Sequence, residues 1–453
     1  MCGGSCGSCA SPPRAPPAAR LTRLPEVQLR QPLLRTTIRF LLAQGVHAAT
    51  RSAAKSTERE KQLNPMLRSR HLRFGLSPGY LLRRMLPRLA FVVIPLWLTG
   101  CTCSPSAPAR VVDVVAGGFF TCARTAAGEV YCWGLNHEGQ LGTTTRDSVA
   151  NRPLEIASLS GIDQISLGGE HGCAARIDES TRCWGNNEYG QLGDETRENR
   201  GQPTAAIGFS EVTQVVAGSN RTCGVLSDHR VSCVGVLGVQ ARSSSTQPQI
   251  IEGLHDIAEI AVGSGHSCAR RSTGQVLCWG SNFRGELGDG TTTDRAEPVA
   301  VIGIATATQI AVGTRRSCAL LSDASVSCWG YDGLHFSTTP EPVETGERVE
   351  QVAVGESHVC ARHESGSIAC WGTRRWRTLG DGETASAGDP DYVMYAPVRV
   401  RGIETAIDLA VGRRHSCAVL ADHTLTCWGD NESSQLGDGT RISRPTPVAI
   451  PIP

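Results

Sequence analysis

From about residue 111 to its end the chain alternates apolar and polar positions in short bursts, and the bursts recur. Each copy opens on a small, β-branched run that reaches glycine (VVAGG 114–118, AVGSG 261–265, AVGES 353–357) and continues to a cysteine. A turn rich in Gly, Asp or Ser follows, then an alternating stretch such as EVYCWG (129–134) or QVLCWG (275–280). Alternation bounded by turn residues predicts short antiparallel strands. Seven copies over roughly 340 residues give a period of about 49, the scale of radially repeated supersecondary units. The expected fold class is therefore all-β.

In every copy two cysteines stand ten positions apart: Cys122 and Cys132, Cys173 and Cys183, Cys223 and Cys233, Cys268 and Cys278, Cys318 and Cys328, Cys360 and Cys370, Cys417 and Cys427. In the first copy Cys122 opposes Cys132 about a centre near Ala127, so Arg124 faces Val130 and a short loop closes at Gly128, where a left-handed residue is wanted. Directly opposed residues have Cα atoms roughly 4.5–5.5 Å apart, inside the disulfide window of about 4.4–6.8 Å. Structural zinc sites want two to four residues between ligands and a second such pair nearby, which nine intervening residues do not offer. The pairs read as disulfides if the protein leaves the cytoplasm, and as reduced, buried thiols if it stays.

Residues 85–101, MLPRLAFVVIPLWLTGC, decide between these readings. A basic start and an apolar run of about a dozen residues make a signal-peptide core, because a membrane span needs roughly 20. The final Leu98-Thr99-Gly100-Cys101 resembles the lipobox of bacterial lipoproteins. That resemblance implies cleavage after residue 100, a lipid on Cys101 and a lipidated tether over 101–110; an ordinary signal peptide cleaved nearby is the alternative. Either way the chain is expected to be exported, anchored in the cell envelope with the outer membrane favoured. Residues 1–84 are basic, Pro-rich in places and without sustained periodicity, and read as a disordered or spurious extension. Cys2, Cys6 and Cys9 have the spacing of an iron–sulfur motif, but no barrel pattern follows them.

Charge adds a constraint. The chain carries 44 Lys+Arg and 43 Asp+Glu; without the 16 and 3 in residues 1–100, 28 and 40 remain, a net charge of −12. A domain of that sign has no general electrostatic reason to bind nucleic acid.

Six of the seven copies continue from the second cysteine into Trp-Gly (Trp133, Trp184, Trp279, Trp329, Trp371, Trp428), and the third has Val234. Several then run into an Asn-x-x-Gly-Gln-Leu-Gly phrase: NHEGQLG (136–142), NNEYGQLG (186–193), NFRGELG (282–288) and NESSQLG (431–437). These units resemble the repeats of the regulator of chromosome condensation family over about 110–453, which implies a seven-bladed β-propeller over 111–453 with one disulfide inside each blade. A Pro-x-hydrophobic phrase occurs at Pro153, Pro203, Pro248, Pro298, Pro342, Pro397 and Pro447, after every copy and before none. The C-terminal strand is thus expected to pair into the first blade and close the ring.

Catalytic constellations are thin. His171, His266, His358 and His415 each sit two residues before a first cysteine, so a ring of metal ligands is conceivable; the resemblance instead implies a structural hydrogen-bonding position. The turns DGTTTD (289–294) and GDPD (388–391) lack the spaced ligands of a calcium loop. No phosphate loop, GxSxG or HExxH is present. The expectation is a monomeric binding module with no catalysis, cofactor or metal, and with a protein partner. The sixth unit is where that partner is sought: its stretch 373–397 holds Arg374, Arg375, Trp376, Arg377, Tyr392 and Tyr395, the composition of interface hot spots. The fifth unit's YDGLHFSTTP (331–340) is the second candidate. The competing readings are an envelope hydrolase or lyase using the central funnel, and, if the protein is intracellular, a guanine-nucleotide exchange regulator like the family's founder.

Overall fold

The computed structural model describes residues 109–145, 147–176, 181–209, 211–237, 243–384 and 394–453. The predicted extension, the signal peptide, Cys101 with most of its tether, and Tyr392 lie outside the described residues. Among the described residues, twenty-eight strands form seven four-stranded antiparallel sheets, each built from four strands consecutive in the chain. Blades 1 to 7 span 111–155, 164–205, 212–250, 257–300, 307–343, 349–399 and 406–450. Each blade runs outward from an inner strand to an outer one, and the inner strands surround a central channel of about 740 Å³.

All seven predicted disulfides are formed, one in each blade. Cys122 is bonded to Cys132, Cys173 to Cys183, Cys223 to Cys233, and Cys268 to Cys278. Cys318 is bonded to Cys328, Cys360 to Cys370, and Cys417 to Cys427. Each cysteine lies directly opposite its partner in the ladder between the second and third strands of its blade. Their Cα atoms are 4.0–4.1 Å apart, closer than the sequence-based expectation. The register explains the difference. The Thr125 amide donates to the Glu129 carbonyl at 3.0 Å, which makes that opposed couple a hydrogen-bonded one. Such couples alternate along an antiparallel ladder, so Cys122 and Cys132, three positions away, occupy a non-hydrogen-bonded position where the strands approach most closely. The expected pairing holds in the rest of the first hairpin: Arg124 faces Val130, and Gly128 turns the chain at φ 77°.

Two devices close the ring around the channel. The inner strands end in glycine, and a Cβ there would strike the next blade, standing 2.2 Å from the Gly313 carbonyl if added to Gly263 and 2.2 Å from the Gly355 carbonyl if added to Gly313. Only glycine lets the seven strand ends converge this closely. Below them, the third residue of an inner strand (Gln214, Glu259, Gln309, Gln351, Asp408), or the first in the shorter strand of blade 2 (Gln164), bonds to the neighbouring blade, while Asp113 at the same position is held by Arg124 of its own blade. Backbone amides of Val215, Ile260, Val352 and Val114 donate to Gln164, Gln214, Gln309 and Asp408 at 2.8–3.0 Å. Burial and the neighbouring Asp408 push Asp113 up to about 6.

The closure itself corrects the sequence expectation. The last strand, Arg444–Ile450, does not pair into the first blade; it hydrogen-bonds to Leu425–Gly429 and completes blade 7. Blade 1 takes its outer strand, Val149–Glu155, from its own unit. Proline lacks an amide donor and so marks a sheet edge, but every outer strand is an edge, so the prolines could not say which blade owns them. The ring closes by packing: Ile450 and Leu436 of blade 7 share a buried cluster with Val111, Val114, Tyr131 and Trp133 of blade 1.

Candidate functional site

One face of the ring carries both the turns between first and second strands and the loops between third and fourth, as the Leu135 amide bonded to the Phe119 carbonyl at 2.9 Å shows for blade 1. The regular loop is organised by its asparagine. Asn282 Nδ2 donates to the Asp289 carboxylate at 3.1 Å and the Thr293 carbonyl at 3.0 Å, while its Oδ1 accepts from the Leu287 amide at 2.9 Å. Asn187 and Asn431 make the same set. A carboxamide offers donor and acceptor on one short side chain, which is why the phrase opens on Asn.

The loop's purpose appears at the junction with the next blade. The Glu286 carbonyl accepts from the Ser317 hydroxyl at 3.0 Å and from the Trp329 indole at 2.9 Å, and His266 Nε2 meets the same hydroxyl at 2.8 Å. The relay recurs as His415, Thr121, Trp133 and the Gln435 carbonyl, and in part as His171, Thr222 and the Gln191 carbonyl. His358 meets Ser416 at 2.8 Å, and Trp428 donates to the Thr378 carbonyl. The four histidines therefore sit at separate junctions, buried, and burial pushes their pKa values down to about 4 at His171 and about 3 at the other three. Among the described residues no group of three or more His, Cys, Asp or Glu is placed to hold a metal ion.

Three sequence-predicted residues turn out to build the sixth blade's loop. Arg374 occupies the asparagine position: its Nε donates to Asp381 at 3.0 Å and its guanidinium stacks on Tyr395 at 3.8 Å. Arg377 stands where the other loops have glycine and adopts φ 61°, as Ser434 does in blade 7. What read as an insertion from 373 is the common loop, betrayed by LGDG (379–382), which repeats LGDG at 287–290 and 436–439. The extra length comes later, since the outer strand starts thirteen residues after Asp381 at Met394 but six after Asp194 at Arg200.

Arg375 is exposed and Trp376 half-buried, and both belong to something larger. Arg414 lies 4.0 Å and Arg375 4.9 Å from the Trp376 ring, and Arg413 and Arg414 cover Phe119 at 5.1 and 5.7 Å. On the other side Arg284 covers Tyr331 at 4.6 Å, and Arg315 lies 5.9 Å from the exposed Phe283. Arginine and aromatic side chains thus alternate over blades 4, 5, 6, 7 and 1. The signal for the missed arginines was a doublet shortly before the first cysteine in two copies, GTRRSC (313–318) and GRRHSC (412–417).

Models of the regulator of chromosome condensation repeat match residues 111–140, 162–191, 257–286 and 406–435, and, in a second form, 127–175, 183–225 and 273–320. The chain is 30% identical over 130 residues to the probable E3 ubiquitin-protein ligase HERC4 of Homo sapiens, covering 28% of this chain and 12% of that protein. It is 32% identical over 120 residues to the mitochondrial RCC1 domain-containing protein RUG3 of Arabidopsis thaliana, covering 25% and 26%. The matched stretch is thus a small part of either relative. The crystal structure of Prp20p from Saccharomyces cerevisiae, described with its binding to Gsp1p and histones, superposes with a TM-score of 0.64 at 21% identity over 71% of this chain and 85% of that one.

Proposed function

Since the chain is built from repeats of the regulator of chromosome condensation family, whose propellers serve as protein-interaction modules, we propose that it is an envelope-anchored binding protein that grips a protein partner with its arginine-aromatic face. The observation that carries this reading is the run of stacked arginines from Phe283 to Phe119. Stacking orders the guanidinium groups on aromatic platforms and presents a concentrated positive charge and forked donors to a partner's carboxylates or carbonyls, with Glu356 bridging Arg413 and Arg414. With a net charge of −12 beyond residue 100, a local concentration of arginine on one face also orients an acidic partner surface toward it.

The protein acts by binding and not by chemistry. In support, the four histidines before the first cysteines are neutral and committed to inter-blade hydrogen bonds, and Glu259 and Asp408 accept backbone amides of the next blade. Export and lipid anchoring at Cys101 are supported by the lipobox-like residues 98–101 and by seven disulfides that need an oxidising compartment.

Capture of envelope proteins by the full-length protein tests the binding reading, with Trp376→Ala and Arg414→Ala as probes. Captured proteins are expected to fall away in both variants; an unchanged set removes this face from consideration. Cys101→Ser is expected to move the protein from the membrane to the soluble fraction, and retention in the membrane contradicts the anchor.

A further inference from the structure

The junction between blades 5 and 6 keeps its inner-strand contacts and buried cluster but lacks the loop, leucine and relay that close the junctions described above. The fifth blade has no Asn-x-x-Gly-Gln-Leu-Gly loop: its third and outer strands meet in a tight hairpin, with Tyr331 paired to Phe336 and the Asp332 amide bonded to the His335 carbonyl at 3.0 Å. The histidine position holds Arg316, and the hydroxyl position holds Val359. Trp371 is retained, is 4% exposed, and its Nε1 has no acceptor, whereas the indoles of Trp133, Trp184, Trp329 and Trp428 each donate to a loop carbonyl of the preceding blade. Leu141, Leu192, Leu287, Leu379 and Leu436 are fully buried in their loops, and this junction has no such leucine.

In the place of that loop is a cavity of about 380 Å³, lined among others by Arg315, Arg316, Tyr331, Ser357, Val359 and Trp376. Its acids are already engaged. Glu356 is held by Arg413 and Arg414, and Asp332 accepts the amides of Leu334 and His335 at 2.8 Å. Arg316 is different. It is half-buried and its Nε is sealed from solvent without a hydrogen-bond partner, although the charges of Asp332 and Glu341 act on the guanidinium. A guanidinium nitrogen that lines a cavity, sealed from solvent and without an acceptor, is costly to bury and marks where an oxygen is missing.

We propose that this cavity receives a carboxylate presented by a peptide segment of a partner protein, one oxygen seated on the Arg316 guanidinium and the segment standing in for the loop that blade 5 lacks. Arginine supplies the charge-matched, forked donor for such a group, and the missing leucine leaves room for an adjoining apolar side chain. Trp376 and Arg414 line both the cavity and the arginine-aromatic face. The inference therefore rests on the protein-binding reading and names the chemistry recognised at its centre.

The test uses the full-length oxidised protein and short peptides followed by calorimetry or peptide fluorescence. Acetyl-Gly-Gln-Leu with a free C-terminal carboxylate is compared with its C-terminal amide, and acetyl-Gly-Glu-Leu amide with acetyl-Gly-Gln-Leu amide, so that a chain-end acid and a side-chain acid are distinguished. At least one acid is expected to bind on the order of tenfold or more tightly than its neutral counterpart, and Arg316→Gln is expected to erase the difference. Equal binding of acids and neutral peptides, no binding of either acid at millimolar concentration, or an unaltered preference in Arg316→Gln overturns the assignment. Those results leave the wider face untouched, because Trp376→Ala and Arg414→Ala test it through partner capture.

Discussion

The junction between blades 4 and 5 and the one between blades 5 and 6 use the same strands, the same disulfide register and the same tryptophan, yet only the first is closed. At the closed junction one carbonyl, Glu286, is shared by Ser317 and Trp329, with His266 behind them and Leu287 filling the space. At the open one the carbonyl and the leucine are gone, and an arginine has replaced the histidine. Blade 3 makes a parallel exchange: Arg221 stands at its histidine position, buried, with burial pushing its pKa down to about 10 and Nη1 3.4 Å from Ser267. A repeat protein spreads its stability over many equivalent interfaces. One junction can therefore give up its closing parts and turn unpaired donors toward a ligand without loss of the fold.

The broadest way to break this comparison is acid. His171, His266, His358 and His415 have folded pKa values near 3 to 4 against about 6.5 in the unfolded chain, so below pH 6.5 the unfolded state takes up protons that the folded state refuses. Their stabilisation is complete above about pH 6.5 and is lost as pH falls toward 4, roughly 2 kcal/mol per histidine by pH 5. Asp113, raised to about 6, and Glu259 and Glu286, raised by burial, work in the opposite sense, while His363, lowered by burial, acts with the four. Denaturant midpoints measured from pH 7 to pH 5 are expected to drop by several kcal/mol in equivalent stability; a flat profile contradicts the buried relays.

Next in size is Leu287→Ala, which should cost about 2–5 kcal/mol by urea unfolding, because the leucine is fully buried at the closed junction. A loss below about 1 kcal/mol would show that the loop does not seal it. Grafting residues 282–294 of blade 4 in place of 332–335 of blade 5 should act the other way. It supplies Trp371 with an acceptor and the junction with a leucine, raising stability by about 1–2 kcal/mol and abolishing acid-peptide binding. A graft that leaves peptide binding unchanged places the binding elsewhere.

Much of this architecture was legible. Cysteines ten apart can lie opposite each other only in a hairpin of one register, so the second and third strands of every blade followed from spacing alone. The owner of the outer strand was not legible, because a proline marks an edge without naming the sheet. Of the candidate site, the sequence showed the residue types but not which of them serve the loop. Trp376 and Arg375 belong to the arginine-aromatic cluster proposed to bind, but Arg374 and Tyr395 hold the loop together, a role hidden because arginine there replaces asparagine. Phe119, Arg413 and Arg414 were missed because their stacking joins residues 38 to nearly 300 positions apart in the chain.

The most direct test sets two identical substitutions side by side. Trp329→Phe and Trp371→Phe remove the same indole nitrogen and similar area, but only Trp329 has a hydrogen bond to lose, to the Glu286 carbonyl at 2.9 Å. The predicted result is that Trp329→Phe is less stable than Trp371→Phe by about 1–2 kcal/mol in denaturant unfolding. Equal losses at the two positions would contradict the claim that the junction between blades 5 and 6 stands open and short of an acceptor.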